Sequence, residues 1–296
     1  MGPFSSPALG QARPLPRAGG EMRVREALTA PARQLEAVSM TPRLDAELLM
    51  AHALGMSREQ MLLSAMDAEA PAAFAALLAR RLVHEPVAYI TGRRAFWTIE
   101  LEVGPGVLVP RPDSETLIDA AIDRFGPRGP ATILDLGTGP GTLLLAALDQ
   151  WPQARGLGID RSEDALAYAR RNAARLGLGD RAELRLGDWG EGIEGRFDLV
   201  LANPPYVAAD ADLPPDVADH EPAAALFAGA DGLDDYRRLA PQLPRLIAPG
   251  GVACVEIGAG QKQAVAALFG AAGLTVASRD DLAGVARCLV LANADE

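Results

Sequence analysis

Apolar and polar positions change rhythm twice along the chain. Over residues 22–85 they repeat at helical spacing. Leu44, Leu48 and Ala51 line up with Glu47, Thr41-Pro42 is a start signal and Gly55 a stop. Pro71 opens a second helix through Phe74, Leu77, Leu78 and Leu82. This pattern predicts a small helical bundle without strands. Over residues 86–112 the rhythm shortens. Val87, Tyr89 and Ile90 precede Thr91-Gly92, and Ala95 to Val103 alternates as one strand. Gly104-Pro105-Gly106 then turns, and Val107-Leu108-Val109 runs into Pro110, which together signal a β-hairpin.

From residue 113 short apolar runs alternate with helical stretches. Strands are predicted at 132–136, 155–160, 182–186, 197–202, 252–257, 274–278 and 286–291. Helices are predicted at 143–148, 162–176, 234–247 and 263–272. Alternation of this kind argues for an α/β fold, an open and mostly parallel seven-stranded sheet with helices on both faces. The last two strands are expected to add an antiparallel edge hairpin. The predicted organisation is a disordered extension over 1–21, a helical domain over 22–85, a hairpin linker over 86–112 and an α/β domain over 113–296.

Composition narrows the partners. The chain has 296 residues, 49% hydrophobic and 23% charged, which allows a sizeable core. Its net charge of −11 disfavours non-specific nucleic-acid binding, which rests on neutralising phosphates. Lys262 is the only lysine, so positive charge is carried almost wholly by arginine. Cys254 and Cys288, each among apolar residues, read as buried free thiols in a reducing compartment, hence a cytoplasmic protein. His52, His84 and His220 are scattered and no spacing suits a metal site. No apolar run approaches the ~18 residues of a membrane helix. Residues 1–20 contain Pro3, Pro7, Pro14 and Pro16 and lack an apolar segment, unlike a signal peptide, so Met22 is a candidate start of the folded chain.

Four motifs carry chemistry. Gly137-Thr138-Gly139-Pro140-Gly141 lies between a strand and a helix, where glycines permit a sharp turn and close approach of a ligand; alone it is also an ordinary tight turn. Asp160 closes the next strand, at the spacing of about 20 residues at which an acid accepts both ribose hydroxyls of an adenosine. Its bland alternative is a cap for the following helix. Asp188-Trp189 closes the third strand, where a carboxylate could accept an adenine amino group beside an aromatic ring. Alone, Trp189 reads as a core residue. Asn203-Pro204-Pro205-Tyr206 follows a continuous apolar strand. The two prolines stiffen the turn and remove two N–H donors, leaving the Asn203 Oδ1 and the Pro204 carbonyl as acceptors. A buried NH2 group has two donors to satisfy, and these two oxygens can take one each while Tyr206 packs against the planar guest.

In this order the motifs resemble class I S-adenosylmethionine-dependent methyltransferases that act on planar amino or amide nitrogens. Glu85-Pro86-Val87-Ala88-Tyr89-Ile90-Thr91-Gly92, Phe96-Trp97, Val109-Pro110-Arg111-Pro112-Asp113-Ser114-Glu115 and Ala225-Leu226 with Asp231-Gly232-Leu233 are similar to one subfamily, the peptide chain release factor N5-glutamine methyltransferases of the PrmC/HemK type. The resemblance covers residues 22–292. It implies a Rossmann-like methyltransferase domain, S-adenosyl-L-methionine as cofactor with S-adenosyl-L-homocysteine as product, and no metal. The implied substrate is the glutamine in the Gly-Gly-Gln (GGQ) loop of class I release factors, read by the helical domain of a cytoplasmic monomer.

Carried across, Gly137 to Gly141 lie beside the methionine part of the cofactor, Asp160 holds the ribose, and Asp188 and Trp189 border the adenine. Asn203 also lies against the methyl donor, and Asn203 to Tyr206 bind the glutamine amide. Phe96 and Arg111 are further candidates for the same cleft. Pro140 departs from the family, which more often has a small polar residue there, and its missing N–H removes one donor. An amide nitrogen is a weak nucleophile and the motif holds no strong base, so positioning and stabilisation of developing positive charge are the expected contributions. Ribosomal-protein glutamine methylation shares Asn-Pro-Pro-Tyr and is the nearest alternative. Adenine-N6 methylation after base flipping would suit the same acceptors, but the acidic charge and the absence of an added basic domain count against it. A nicotinamide dehydrogenase would explain the glycine loop and Asp160 but gives Asn203-Pro204-Pro205-Tyr206 no task.

Overall fold

The computed structural model describes residues 22–294, which divide into two compact units, one ending at Ala79 and one beginning at Arg80. The extension expected over 1–21 lies outside the described residues. In the first unit, α1 (Val24–Ala27), α2 (Thr29–Leu35), α3 (Pro42–Leu54), α4 (Arg58–Gln60) and α5 (Ala73–Leu82, which runs across the division) are joined by short turns. A π-helical turn, Met61–Ala65, follows α4. Pro42 begins α3 and Gly55, at φ 68°, ends it. The buried face of α3 matches the predicted one only in part. Glu47 and Ala51 are buried, but Leu44 is exposed and Asp45 is buried beside Ala46, Leu49 and Met50. The two acids are accommodated by partners: Thr41 donates to Asp45 at 3.1 Å, and Arg43 and Arg58 hold Glu47 at 2.6 and 2.7 Å. Paired in this way a buried carboxylate is tolerated.

The second unit opens with α6 (Val87–Thr91) and the hairpin β1 (Arg93–Phe96) and β2 (Ile99–Glu102). The turn falls at Trp97-Thr98, inside the stretch that alternates as a single strand. Trp97 sits at φ 54°, held there by its N–H on the Glu115 carboxylate at 2.8 Å and its indole on Gln150 at 3.1 Å. Residues 107–109 form no strand. They are held instead by other contacts, the Val107 carbonyl accepting from the Tyr89 hydroxyl and the Val109 N–H donating to Glu221.

After α7 (Glu115–Phe125) the unit alternates through β3 (Thr132–Leu136), α8 (Thr142–Gln150), β4 (Arg155–Asp160), α9 (Glu163–Arg175), β5 (Ala182–Leu186) and β6 (Phe197–Ala202). The short α10 (Pro215–Ala218), α11 (Asp234–Leu239), α12 (Leu243–Leu246), β7 (Ile247–Glu256), α13 (Lys262–Ala271), β8 (Leu274–Asp280) and β9 (Ala286–Asn293) follow. The seven-stranded order is β5-β4-β3-β6-β7-β9-β8, parallel from β5 to β7 and antiparallel at β9 and β8. One predicted helix, 234–247, is two. Pro241 lacks the N–H that would continue α11, and the chain turns before α12. β7 also starts earlier than predicted, at Ile247, with an irregularity opposite Phe197 and Leu199.

Strand alternation loads the two faces separately. Ile133, Leu199, Leu201 and Val252 pack toward α7, α8 and α9. Leu134, Leu136, Val200 and Val255 pack toward Tyr236, Leu243, Val265 and Phe269 of α11, α12 and α13. Burying each such side chain contributes about 1.5–3 kcal/mol. The apolar central strands thereby form a rigid floor, and the order of strands reverses between β3 and β6. Open sheets bind ligands at the carboxyl ends of the strands at such a reversal.

Candidate active site

A cavity of ≈190 Å³ lies at that reversal. Of the predicted residues, Gly137, Thr138, Gly139, Pro140, Asp160, Asp188, Trp189, Asn203 and Pro205 line it. Gly141 sits just behind as the N-cap of α8, and Pro204 and Tyr206 lie outside the lining. Phe96 does not reach it: the ring is 2% exposed and belongs to the core under the hairpin. Arg111 does.

The glycine loop follows β3 with positive φ at alternate residues, 74° at Gly137, 57° at Gly139 and 89° at Gly141, a path that side chains resist. Its N–H groups are turned to the protein. Gly137 and Thr138 donate to the Ile159 carbonyl, Gly139 to Asp160 and Gly141 to Thr138. The loop therefore contributes a close, shaped wall, and Pro140 forfeits little by lacking a donor. The Pro140 carbonyl is itself anchored by Asn172 at 3.0 Å.

Asp160 combines its two sequence readings. Oδ1 accepts from the Ser162 N–H at 2.8 Å, where Ser162 caps α9, and Oδ2 accepts from Gly139 at 2.8 Å. A carboxylate has about four lone-pair sites, so two remain for ligand hydroxyls. At the third strand end Asp188 is ion-paired to Arg238 at 2.5 Å. Trp189, at φ 49° and 9% exposed, donates its indole N–H to Asp235 at 3.2 Å. Its ring is both core and cavity wall.

Three participants escaped the motif reading. Asp135, within β3, lines the cavity and is 1% exposed. Oδ2 accepts from the Thr138 hydroxyl at 2.6 Å and the Leu144 N–H at 3.1 Å, while Oδ1 is buried with no hydrogen-bond partner among the described residues. Burial pushes its carboxyl up to about 7. Ser114 also lines the cavity, and its Oγ accepts from Asn203 Nδ2 at 3.1 Å. Glu221 clasps the segment before Ser114. It accepts from the Arg111 guanidinium at 2.5 Å and from the Val109 N–H at 3.0 Å, and burial raises its pKa against the pull of Arg111. An acid inside an apolar strand just ahead of a glycine loop is a signal that points to Asp135. Ser114 stands in the Val109 to Glu115 segment, which by itself gives it no task, and nothing local marks Glu221; the partners of both are distant in sequence.

The cavity fits S-adenosyl-L-methionine. The orphaned Asp135 Oδ1 suits a cationic amino group, Asp160 a pair of ribose hydroxyls, and the glycine loop a ligand lying close to backbone. Among the described residues no group of three or more His, Cys, Asp or Glu could hold a metal ion, and no helix is long and apolar enough to cross a membrane.

Comparison with known proteins agrees with this geometry. Residues 26–92 match the PrmC N-terminal domain and residues 129–269 a methyltransferase domain. A release factor glutamine methyltransferase of Caulobacter vibrioides is 47% identical over 240 residues, covering 79% of this chain and 83% of the relative. One from Rhodospirillum rubrum is 48% identical over 255 residues, covering 84% and 78%. The chain belongs to the release factor glutamine methyltransferase family. As a member it is an S-adenosylmethionine-dependent glutamine methyltransferase. The fold extends further than the family: the hMettl16 catalytic domain, solved in complex with MAT2A 3′UTR hairpin 6, superposes with a TM-score of 0.50 at 18% identity, over 66% of this chain and 77% of that one. Asn203 to Tyr206 follow β6 directly, and Asn203 and Pro205 share the cavity lining with the glycine loop.

Proposed function

We propose that this enzyme transfers a methyl group to the N5 side-chain amide of the glutamine in the GGQ loop of class I release factors, in the cytoplasm. We further propose that Asn203, Pro204, Pro205 and Tyr206 hold the substrate amide. Gly137 to Gly141, Asp135, Asp160, Asp188 and Trp189 would hold the cofactor, and residues 22–85 would read the protein substrate. One observation carries the reading. Asn203 lines the cofactor cavity with its Nδ2 already committed to Ser114, leaving Oδ1 as the end available to a guest N–H.

When bound, the cofactor supplies an electrophilic methyl carbon on a cationic sulfur. The chain's own residues do the rest. Asn203 Oδ1 and the Pro204 carbonyl each accept one N–H of the substrate amide and turn the face of its nitrogen toward that carbon. Holding the reactants in line lowers the barrier by several kcal/mol, up to about 7–11 in the best intramolecular cases. The same two oxygens favour the positive charge that grows on nitrogen, so they bind the transition state better than the substrate. The surplus proton then passes to water.

The test is methyl transfer from labelled S-adenosyl-L-methionine to purified release factor, ribosomal protein and DNA in parallel, with mass mapping of the product. Label on the GGQ glutamine supports the proposal. Label confined to ribosomal protein or DNA refutes it.

A further inference from the structure

The corner that would hold the substrate amide contains two prolines, which supply no N–H groups and lock φ at both positions. Among the described residues the Pro204 and Pro205 carbonyls accept no hydrogen bond. The corner is therefore fastened at its ends. At the near end Asn203 Nδ2 donates to Ser114 Oγ at 3.1 Å. At the far end the Tyr206 carbonyl accepts from Gln261 Nε2 at 3.0 Å. Gln261 stands outside the cavity lining and outside the four sequence motifs.

Gln261 directly precedes α13, and its carboxamide joins three segments of the chain. Nε2 donates to the Tyr206 carbonyl after β6 and, at 3.3 Å, to the Gly232 carbonyl ahead of α11. Oε1 accepts from the Gly258 N–H after β7 at 3.0 Å, and the Tyr236 hydroxyl stands 3.5 Å from the same oxygen. A backbone N–H only donates and a carbonyl only accepts, so the carboxamide has one orientation that satisfies both of its ends. The backbones close in around it. A Cβ at Gly232, which sits at φ 72°, would collide with the Tyr206 carbonyl oxygen. One at Gly258 would lie 2.7 Å from Gln261 Oε1 and 3.0 Å from Tyr206 Cδ2. Only glycine allows so close an approach. Gly232 belongs to Asp231-Gly232-Leu233, one of the segments that carry the family resemblance, and this contact gives it a task.

We propose that Gln261 is a positioning residue for methyl transfer, holding the Tyr206 end of the corner so that the Pro204 carbonyl meets the substrate amide. The link between the two is stiffness. A residue ahead of a proline is confined to extended backbone, which restrains Asn203 and Pro204, and the rings fix φ at Pro204 and Pro205. Little torsional slack remains between Pro204 and Tyr206. A turn of the Tyr206 carbonyl is therefore carried back to the Pro204 carbonyl rather than absorbed on the way. Such shifts matter, since a misplacement of about 1 Å can cost on the order of a hundredfold in rate. Beyond the corner, Val207 is bridged to Leu226 and Ala228 at 2.9 Å. Loss of Gln261 should thus turn the Tyr206 peptide locally and leave the following segment in place.

The inference rests on the reading of Asn203 to Tyr206 as the amide-binding corner. It is tested by measuring kcat and KM of the full-length enzyme on purified release factor at saturating S-adenosyl-L-methionine, alongside cofactor affinity and melting temperature. Gln261→Met keeps the length of the side chain and loses its hydrogen bonds. It should lower kcat by about tenfold to a hundredfold, change KM for release factor by less, and leave cofactor affinity unchanged. Gln261→Glu adds a readout that packing alone would not move. Ionised, its carboxylate accepts from Gly258 but sets lone pairs against two carbonyls; protonated, it regains one donor. The carbonyls favour the neutral form, so its kcat relative to wild type should climb as pH is lowered from about 8 to 6. The same ratio for Gln261→Met should stay flat. Wild-type kcat in Gln261→Met overturns the proposal. A flat ratio in Gln261→Glu overturns it equally, and decides alone should Gln261→Met fail to fold. A wild-type enzyme that never methylates release factor removes the reading of the corner and this proposal with it, an outcome distinct from an active enzyme indifferent to Gln261.

Discussion

Asp160 and Gly139 are joined across the mouth of the cavity, the carboxylate Oδ2 accepting the glycine N–H at 2.8 Å. One side chain thereby ties the end of β4 to the loop after β3, and its second oxygen fastens the start of α9 through Ser162. A residue that would bind ribose is thus also the brace of the loop that the rest of the ligand lies against.

Asp160→Ala should consequently act twice. Losing charged hydrogen bonds to ligand hydroxyls should weaken cofactor binding by about 1.5–3 kcal/mol, and losing the brace should lower the melting temperature of the free enzyme. Titration calorimetry and a thermal melt separate the two. An unchanged dissociation constant would remove Asp160 from the site.

The β–α alternation was legible because the central strands β3, β6 and β7 are mostly apolar, and the cavity motifs because each falls at or just after the end of a strand. What escaped depends on distant partners. The hairpin turn at Trp97 is set by Glu115 and Gln150, not by the alternation of Ala95 to Val103. Arg58, at the start of α4, completes the pairing that lets Glu47 of α3 stay buried. Ser114 gains its place only when β6 brings Asn203 beside it. Asp135 and Glu256 each stand as an acid in an apolar strand, a pattern visible in the chain but unexplained until their burial is seen.

Asp135 should make cofactor affinity depend on pH. Burial raises its carboxyl from the usual carboxylate range to about 7. In the free enzyme its stabilising contribution is fully present at low pH, below the unfolded value, and is lost as pH rises through 7. A cationic ligand favours the ionised form, so affinity should increase from pH 6 to 8 with proton release. Asp135→Asn should flatten that increase and make the free enzyme relatively more stable at pH 8. Calorimetry in buffers of different ionisation enthalpy and urea unfolding at both pH values measure this. An identical pH dependence in the variant would contradict it.

Arg111 should matter chiefly through Glu221. Glu221 is 1% exposed at the side chain and Arg111 33%, so Arg111→Ala leaves an almost fully buried charge without its partner. The expected cost is about 2–3 kcal/mol, between the exposed and the fully buried cases. Urea denaturation should show it, and adding Glu221→Gln should return part of the loss. Strict additivity of the two changes would mean that the pair is not coupled.

Asn203→Ala should separate binding from chemistry. Methyl transfer should fall by at least about a hundredfold, the scale of losing one transition-state hydrogen bond, while cofactor binding persists. Equal loss of both in single-turnover transfer and calorimetry would assign Asn203 to the cofactor alone.

The central claim is that the corner after β6 presents paired oxygens to a carboxamide. A crystal structure with S-adenosyl-L-homocysteine and a glutamine-containing GGQ peptide tests it most directly. The account predicts the glutamine NH2 within hydrogen-bond distance of both Asn203 Oδ1 and the Pro204 carbonyl, its nitrogen aimed at the cofactor sulfur. A glutamine side chain bound elsewhere, or meeting Asn203 through Nδ2, would contradict it.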